Sequence, residues 1–208
     1  MKKYKKLAVF GGTFSPVHNG HLHAMRAYAE TVRPDVLYVI PTAIPPHKIR
    51  SDDATDEQRL HMLRIAVQSI RFPCEVVVSD IEIARGGKSY TVDTVEALHE
   101  IAEEVVIYCG TDMLLCLDEW NGAQKLLRLA SVAYMQREAD RRYFAAVADK
   151  AAALSEKYGT QIFERPYAAV EVSSSAVRAC IRRGEDITAL VGKDVAAYIR
   201  SEGLYQKG

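Results

Sequence analysis

The chain has 208 residues, enough for one domain with a full core and short for two independent ones. Lys plus Arg and Asp plus Glu are equal at 27 each, so the zero formal charge gives no global field for nucleic acid or an anionic membrane, and any handling of anions must be local. Its apolar runs are strand-length, well under the roughly 20 residues of a membrane span. The four cysteines, Cys74, Cys109, Cys116 and Cys180, follow no metal or disulfide spacing. A soluble, cytoplasmic protein with reduced thiols is expected.

Residues 7–10, Leu-Ala-Val-Phe, predict a short buried strand, and the chain from Leu22 onward has helix composition. Between them lies Gly-Gly-Thr-Phe-Ser-Pro-Val-His-Asn-Gly-His, residues 11–21. A strand that breaks at Gly11-Gly12 and restarts as a helix turns free N–H groups and the positive end of the helix dipole into one small volume, which suits phosphate. His18 and His21, on the first turn of that helix, are expected to donate hydrogen bonds to phosphate oxygens. The competing reading is a metal pair. No carboxylate stands at zincin spacing and there is no His-Glu-x-x-His, so no metal ligand is assigned. His23 is expected to face elsewhere.

Residues 35–40 form a compact apolar run closed by Pro41, the mark of a buried strand. The proline-rich loop over 41–48 then leaves His47 and Lys48 at the carboxyl end of that strand. Thr55-Asp-Glu-Gln58 has capping-box form and opens a helix whose apolar stripe is Leu60, Leu63, Ile65, Val67 and Ile70. After a strand at 74–78, residues 85–94 begin as a flexible loop and become a helix near Ser89 or Thr91, with Val92, Val95, Leu98 and Ile101 facing inward. The most apolar strand, 105–109, ends at Gly110-Thr-Asp112.

A helical segment near 113–117, the lone Trp120 and a short helix over 121–129 precede a strand at 131–135 and an alanine-rich helix at 141–158. Residues 162–163 and 168–172 look extended. Ser173 supplies an N-cap for a helix reaching Gly184, and Ser174, Ser175 and Arg178 share the capped end, where hydroxyls and a guanidinium could meet one phosphate. A last helix over 194–202 stops at Gly203. Strands alternating with helices predict an α/β protein, a parallel sheet with helices on both faces and ligands gathered at the strand carboxyl ends. The P-loop pattern and Gly-x-Gly-x-x-Gly are both missing, which argues against a P-loop NTPase and an ordinary dinucleotide oxidoreductase.

Residues 11–21 resemble the glycine-rich segment closed by H-x-G-H that is the signature of the nucleotidyltransferase superfamily, and Ser-Ser-Ser-Ala-Val-Arg, residues 173–178, resembles its S-[ST]-x-x-[IV]-R partner. Residues 41–48, 85–94, 110–112, Trp120 and 195–205 are similar to the bacterial nicotinate-nucleotide adenylyltransferases, and the match runs from end to end. The chain departs from that pattern at Ser15, where Asp is usual, at Ala43 for Gly, at Gly192 for Pro, and at Met-Gln-Arg-Glu, residues 135–138, for an Arg-Pro-Gly segment.

The resemblance implies a Rossmann-like nucleotidyltransferase fold in one domain over residues 1–208, with the helical part from about 173 packed on it. The implied reaction joins ATP to nicotinate mononucleotide, giving deamido-NAD and pyrophosphate. His18, His21 and Arg178 are the implied catalytic residues. ATP would meet Gly11, Gly12, Thr13 and Phe14 along the nucleotide, His18 and His21 at the triphosphate, Ser174, Ser175 and Arg178 at the β and γ phosphates, and Gly110 and Asp112 near the ribose. The mononucleotide would meet Lys48, Tyr90, Thr91, Trp120 and Arg137. Mg²⁺ would be bound through ATP phosphates and water. A homo-oligomer is compatible with the chain.

Two rivals share some of these features. Another enzyme of the superfamily would keep the two end motifs: one for phosphopantetheine or glycerol phosphate would not need Tyr90, Thr91 and Trp120, and one for nicotinamide mononucleotide is a further alternative. A non-catalytic nucleotide-binding regulator would not need both histidines and Arg178. A class I aminoacyl-tRNA synthetase is disfavoured because the chain lacks a Lys-Met-Ser-Lys-Ser loop and a tRNA-sized basic surface.

Overall fold

The run at residues 7–10 is the middle of β1 (Tyr4–Gly12), flanked in the sheet by β2 (Val36–Pro41) and β4 (Ala102–Gly110). With β3 (Glu75–Val78), β5 (Ser131–Gln136) and β6 (Ile162–Pro166) they form a six-stranded sheet of order β3-β2-β1-β4-β5-β6, in which every pairing is parallel. The computed structural model describes residues 2–44, 54–136, 143–166 and 168–206. His47, Lys48 and Arg137 lie outside the described residues.

Successive strand residues face opposite sides of the sheet. Ala8 and Phe10 of β1 join Val106, Ala133 and Met135 in one buried cluster, while Leu7 and Val9 join Val105, Ile107, Val132 and Tyr134 in the other. Both faces are covered, so the strands read as continuous apolar runs rather than alternating ones. The first face carries α1 (Asn19–Val32), α2 (Asp56–Gln68), α8 (Ser174–Arg182), α9 (Thr188–Val191) and α10 (Lys193–Ser201). On the second lie α4 (Thr91–Leu98), α5 (Thr111–Leu115), α6 (Ala123–Leu129) and α7 (Phe144–Tyr158), and α3 (Ile81–Arg85) bridges β3 to the α4 region. Among the described residues no helix is long and apolar enough to cross a membrane.

The chain winds from β1 to β3 in one direction and from β4 to β6 in the other. A parallel sheet opens a crevice where the order reverses, here between β1 and β4. The register that pairs Val9 with Ile107 brings Gly110 level with Gly12 at the mouth of that crevice, and Gly12 lies beside Pro41. Three of the singled-out segments thus end side by side, with adjacent strands about 4.8 Å apart.

Several elements differ from the sequence expectation. Helix α1 starts at Asn19 with His18 as its N-cap, so its first turn lies inside the glycine–histidine motif. Residues 168–172 form no strand. Arg85 ends α3 rather than opening a loop, and α3 and α9, of five and four residues, are too short to show a helical period. The Thr55–Gln58 capping box forms, but the buried face of α2 is Arg59, Leu60, Met62, Leu63 and Ala66, with Ile65, Val67 and Ile70 only half-buried.

Candidate active site

β1 leaves the sheet at Gly12 and turns through Phe14, whose φ of 50° is in the left-handed region that costs a non-glycine residue about 1 kcal/mol or more. The turn keeps it because the Phe14 ring is 1% exposed and meets the His21 ring edge-on at 5.0 Å. A Cβ on Gly12 would come within 2.9 Å of that ring, whereas one on Gly11 would meet nothing within 4 Å. Gly11 therefore borders open space, with room for a ligand to approach the backbone.

His18 and His21 close the N-terminus of α1 by a reciprocal cap. The His21 backbone N–H donates to His18 Nδ1 at 3.3 Å, the His18 N–H donates to His21 Nδ1 at 3.3 Å, and the rings stack at 3.6 Å. An Nδ1 that accepts an N–H bond carries no proton, so each ring holds its proton on Nε2 and offers one donor there. Burial pushes the His18 pKa down to about 4; burial, and secondarily the neighbouring His18, push His21 down to about 3. The pair is neutral at pH 7, yet it supplies two N–H donors beside the positive end of α1, which has no acidic residue in its first turn. A Cβ at Gly20, between them, would sit 3.0 Å from His18 Nδ1 and 2.9 Å from the Val170 carbonyl. The spacing therefore needs glycine there, a position that the signature contains but to which the sequence reading gave no role.

Helix α8 ends its capped turn against the same loop. Ser173 caps it through the Ala176 N–H at 3.1 Å. Ser174 Oγ donates to the Pro16 carbonyl at 2.9 Å, and Arg178 donates to the Ser15 carbonyl at 2.6 Å and to Ser175 Oγ at 3.2 Å. The hydroxyl proton of Ser174 is thus committed to the protein. Ser175, exposed and accepting from Arg178, keeps its own proton to donate. Five N–H donors sit on a guanidinium, and these two bonds leave Arg178 able to reach an anion as well. Ser15, the departure from the usual Asp, is buried, and its hydroxyl bonds Tyr205 Oη at 3.3 Å, tying the turn to the C-terminal segment. Asn19 adds a bond to the Ala189 carbonyl at 2.9 Å.

Across the crevice, β4 gives way at Gly110 to α5, with Asp112 exposed on its first turn. A Cβ on Gly110 would lie 2.8 Å from the Asp112 carboxylate, so the glycine seats that side chain. Helix α4 begins at Thr91 with Tyr90 as an N-cap whose side chain makes no cap bond. Ser89, just before it, is held twice: its N–H donates to the Ile44 carbonyl at 3.0 Å and its Oγ accepts from the Ala43 N–H at 3.1 Å. Beneath, buried Glu82 accepts from Thr94 Oγ1 at 2.9 Å, and Arg85 donates to that hydroxyl at 3.0 Å. Burial pushes the Glu82 carboxyl up, opposed by the Thr94 and Ser89 hydroxyls and by Arg85. Trp120 is half-buried between the short 3₁₀ turn at Leu117–Glu119 and α6, packed on the second core cluster.

Residues 9–180 match the family model described as cytidylyltransferase-like. A relative from Shouchella clausii named probable nicotinate-nucleotide adenylyltransferase is 33% identical, with 97% of each chain covered, and one of the same name from Clostridium acetobutylicum is 31% identical over 97% of this chain and 99% of its own. The chain belongs to the cytidylyltransferase-like family and, within it, to the nicotinate-nucleotide adenylyltransferases. The fold agrees with that of a solved structure, Plasmodium falciparum nicotinic acid mononucleotide adenylyltransferase complexed with NaAD, at a TM-score of 0.77, 16% identity and 98% coverage of both chains. In this adenylyltransferase chain the expected site residues that are described divide between two walls: the glycine–histidine turn with α8, and the ends of β4 and α4 with Trp120. Sequence reading gave Gly20 no role although the signature contains it, and it missed the Ser15–Tyr205 contact and the buried Arg59, which no local spacing signals.

Proposed function

We propose that this protein transfers the adenylyl group of ATP to nicotinate mononucleotide, releasing pyrophosphate and forming the deamidated dinucleotide, as its family membership implies. The observation that carries the reading is the bond from Arg178 to the Ser15 carbonyl at 2.6 Å, which ties α8 to the turn that leads into α1, as a shared anion site at the two helix N-termini requires. A phosphate oxygen of the mononucleotide attacks the α-phosphorus of ATP in line, a P–O bond forms, and the bond to the bridging oxygen breaks as pyrophosphate leaves. The attacking phosphate is already anionic, so no general base is required and catalysis reduces to positioning and charge stabilisation.

In this reading Gly11, Gly12, Thr13 and Phe14 line the nucleotide, and His18 and His21 donate from Nε2 to the triphosphate as negative charge shifts toward the leaving group. Ser175 and Arg178 hold the β and γ phosphates, with Ser174 contributing through its backbone N–H. Gly110 and Asp112 take the ribose. Tyr90 and Thr91 at the uncapped start of α4 receive the nicotinate carboxylate, which a helix N-terminus favours over a neutral amide, and Trp120 stacks on the pyridine ring. Lys48 and Arg137 are assigned to the mononucleotide phosphate side by resemblance alone.

Mg²⁺ fits this donor set as a companion of ATP. Among the described residues no three His, Cys, Asp or Glu side chains cluster as a cage, and the two histidines present N–H donors rather than lone pairs. Phosphate oxygens and water would hold the ion, which supplies charge neutralisation on the β and γ phosphates. The four cysteines are free, in keeping with a cytoplasmic setting.

Pyrophosphate release from ATP tests the reading, with nicotinate mononucleotide compared against nicotinamide mononucleotide and phosphopantetheine. Release should be fastest with the nicotinate form, and His18→Ala should lower kcat by about a hundredfold or more, as for loss of one transition-state donor. Release with none of the acceptors would favour a regulator, and a preference for phosphopantetheine would move the chain to another reaction.

A further inference from the structure

Arg59 is the bulkiest fully buried side chain of the described residues, 0% exposed on the inner face of α2. Its Nη1 donates to the Thr13 carbonyl at 2.6 Å, while Nη2 donates to the Thr42 carbonyl at 2.8 Å and to Asp56 Oδ1 at 2.6 Å. Its Nε is buried without a partner. Taking a cation out of water in this way is costly, and an apolar side chain of similar volume often serves stability as well or better. Stability alone therefore does not account for a guanidinium here. What a guanidinium adds is a rigid planar fork, which holds two acceptors at a fixed separation.

The two carbonyls belong to different walls of the site. Thr13 follows β1 and directly precedes Phe14 with its left-handed φ; Thr42 follows β2 and donates its N–H to the Gly12 carbonyl at 2.9 Å. The two residues after Thr42 run to the other wall, where Ala43 and Ile44 hold Ser89 by its hydroxyl and its N–H. Residues 42–44 thus form a strap with Arg59 and Gly12 at one end and Ser89 at the other. One end bears on the turn assigned to ATP, and the other on the α4 entrance assigned to the nicotinate carboxylate.

We propose that Arg59 is a positioning residue for adenylyl transfer: by clamping the Thr13 and Thr42 carbonyls it fixes the ATP turn and, through the 42–44 strap, the α4 entrance at the separation that in-line attack requires. The proposal rests on the function given above. Misplacing reacting groups by about 1 Å costs on the order of a hundredfold in rate while leaving each substrate able to bind. Arg59→Lys, which keeps the charge but not the fork, should lower kcat about tenfold or more with each KM moved less than about threefold. Arg59→Met, which keeps the volume, should lower kcat further.

The assay is steady-state pyrophosphate release on wild type and both variants, with ATP-binding stoichiometry by calorimetry and thermal melts on the same preparations. Since Ser89→Ala loosens the other end of the same strap, the Arg59→Lys/Ser89→Ala double variant should lose less than the product of the two single losses. Unchanged kcat in well-folded variants overturns the role of Arg59. A rate loss fully matched by a fall in ATP-binding stoichiometry, or failure of both variants to fold, overturns it too, because Arg59 would then serve only the fold. No release by the wild type removes the function itself, an outcome distinct from these.

Discussion

The histidine pair makes a quantitative commitment about pH. Its pKa values, about 4 for His18 and about 3 for His21, lie far below the ordinary 6.5 because burial opposes the charged rings. From pH 6.5 down to about 4 the unfolded chain binds two protons that the folded chain refuses, so stability falls as pH falls through that window. At about pH 5 each histidine accounts for about 2 kcal/mol of that loss, and the pair for about 4 kcal/mol relative to neutral pH. Against a typical stability of about 5–15 kcal/mol this is a large share. The comparison protein is His18→Asn/His21→Asn, because Asn also accepts backbone N–H bonds at a helix start and preserves the cap. Urea unfolding at neutral pH and at about pH 5 should show wild type losing about 4 kcal/mol more than this variant. Glu82, whose carboxyl is pushed up by burial, titrates alike in both proteins and drops out of the difference. Imidazole NMR of the wild type should find two rings still neutral at about pH 5. Equal pH dependence in the two proteins, or rings titrating near 6.5, would refute the buried, Nε2-protonated pair.

Trp120→Ala should raise KM for the mononucleotide about tenfold, from a stacking contribution of about 1–3 kcal/mol, with KM for ATP nearly unchanged; an unmoved mononucleotide KM returns Trp120 to core packing. Gly20→Ala and Gly11→Ala separate scaffold from contact. The first drives a Cβ to 3.0 Å from His18 Nδ1 and 2.9 Å from a backbone carbonyl, so kcat and melting temperature should both fall. The second meets nothing within 4 Å, so its melt should match wild type while KM for ATP rises; a wild-type KM there would remove Gly11 from the nucleotide wall.

What sequence determines about this protein is whatever one strand, one turn or one helix end carries. The apolar runs of β1, β2 and β4 are legible because a sheet covered on both faces needs apolar residues at every strand position. The Thr55–Gln58 box and the Ser173 cap are legible because their donors and acceptors lie three residues apart. The glycine–histidine turn is legible for the same reason, down to the three-residue spacing that lets His18 and His21 cap each other.

Tertiary structure decides everything that joins distant segments. Arg178 reaches Ser15 across 163 residues and Ser15 reaches Tyr205 across 190, and no periodicity encodes such contacts. Arg59 reads as an ordinary polar position of an amphipathic helix. It is buried only because α2 packs where β1 and β2 leave the sheet, which brings the Thr13 and Thr42 carbonyls, 29 residues apart in sequence, within reach of one guanidinium. The phosphate-binding chemistry proposed for this chain is local to two short motifs. The separation of the two walls assigned to its substrates is a property of the sheet and of the strap across its carboxyl edge.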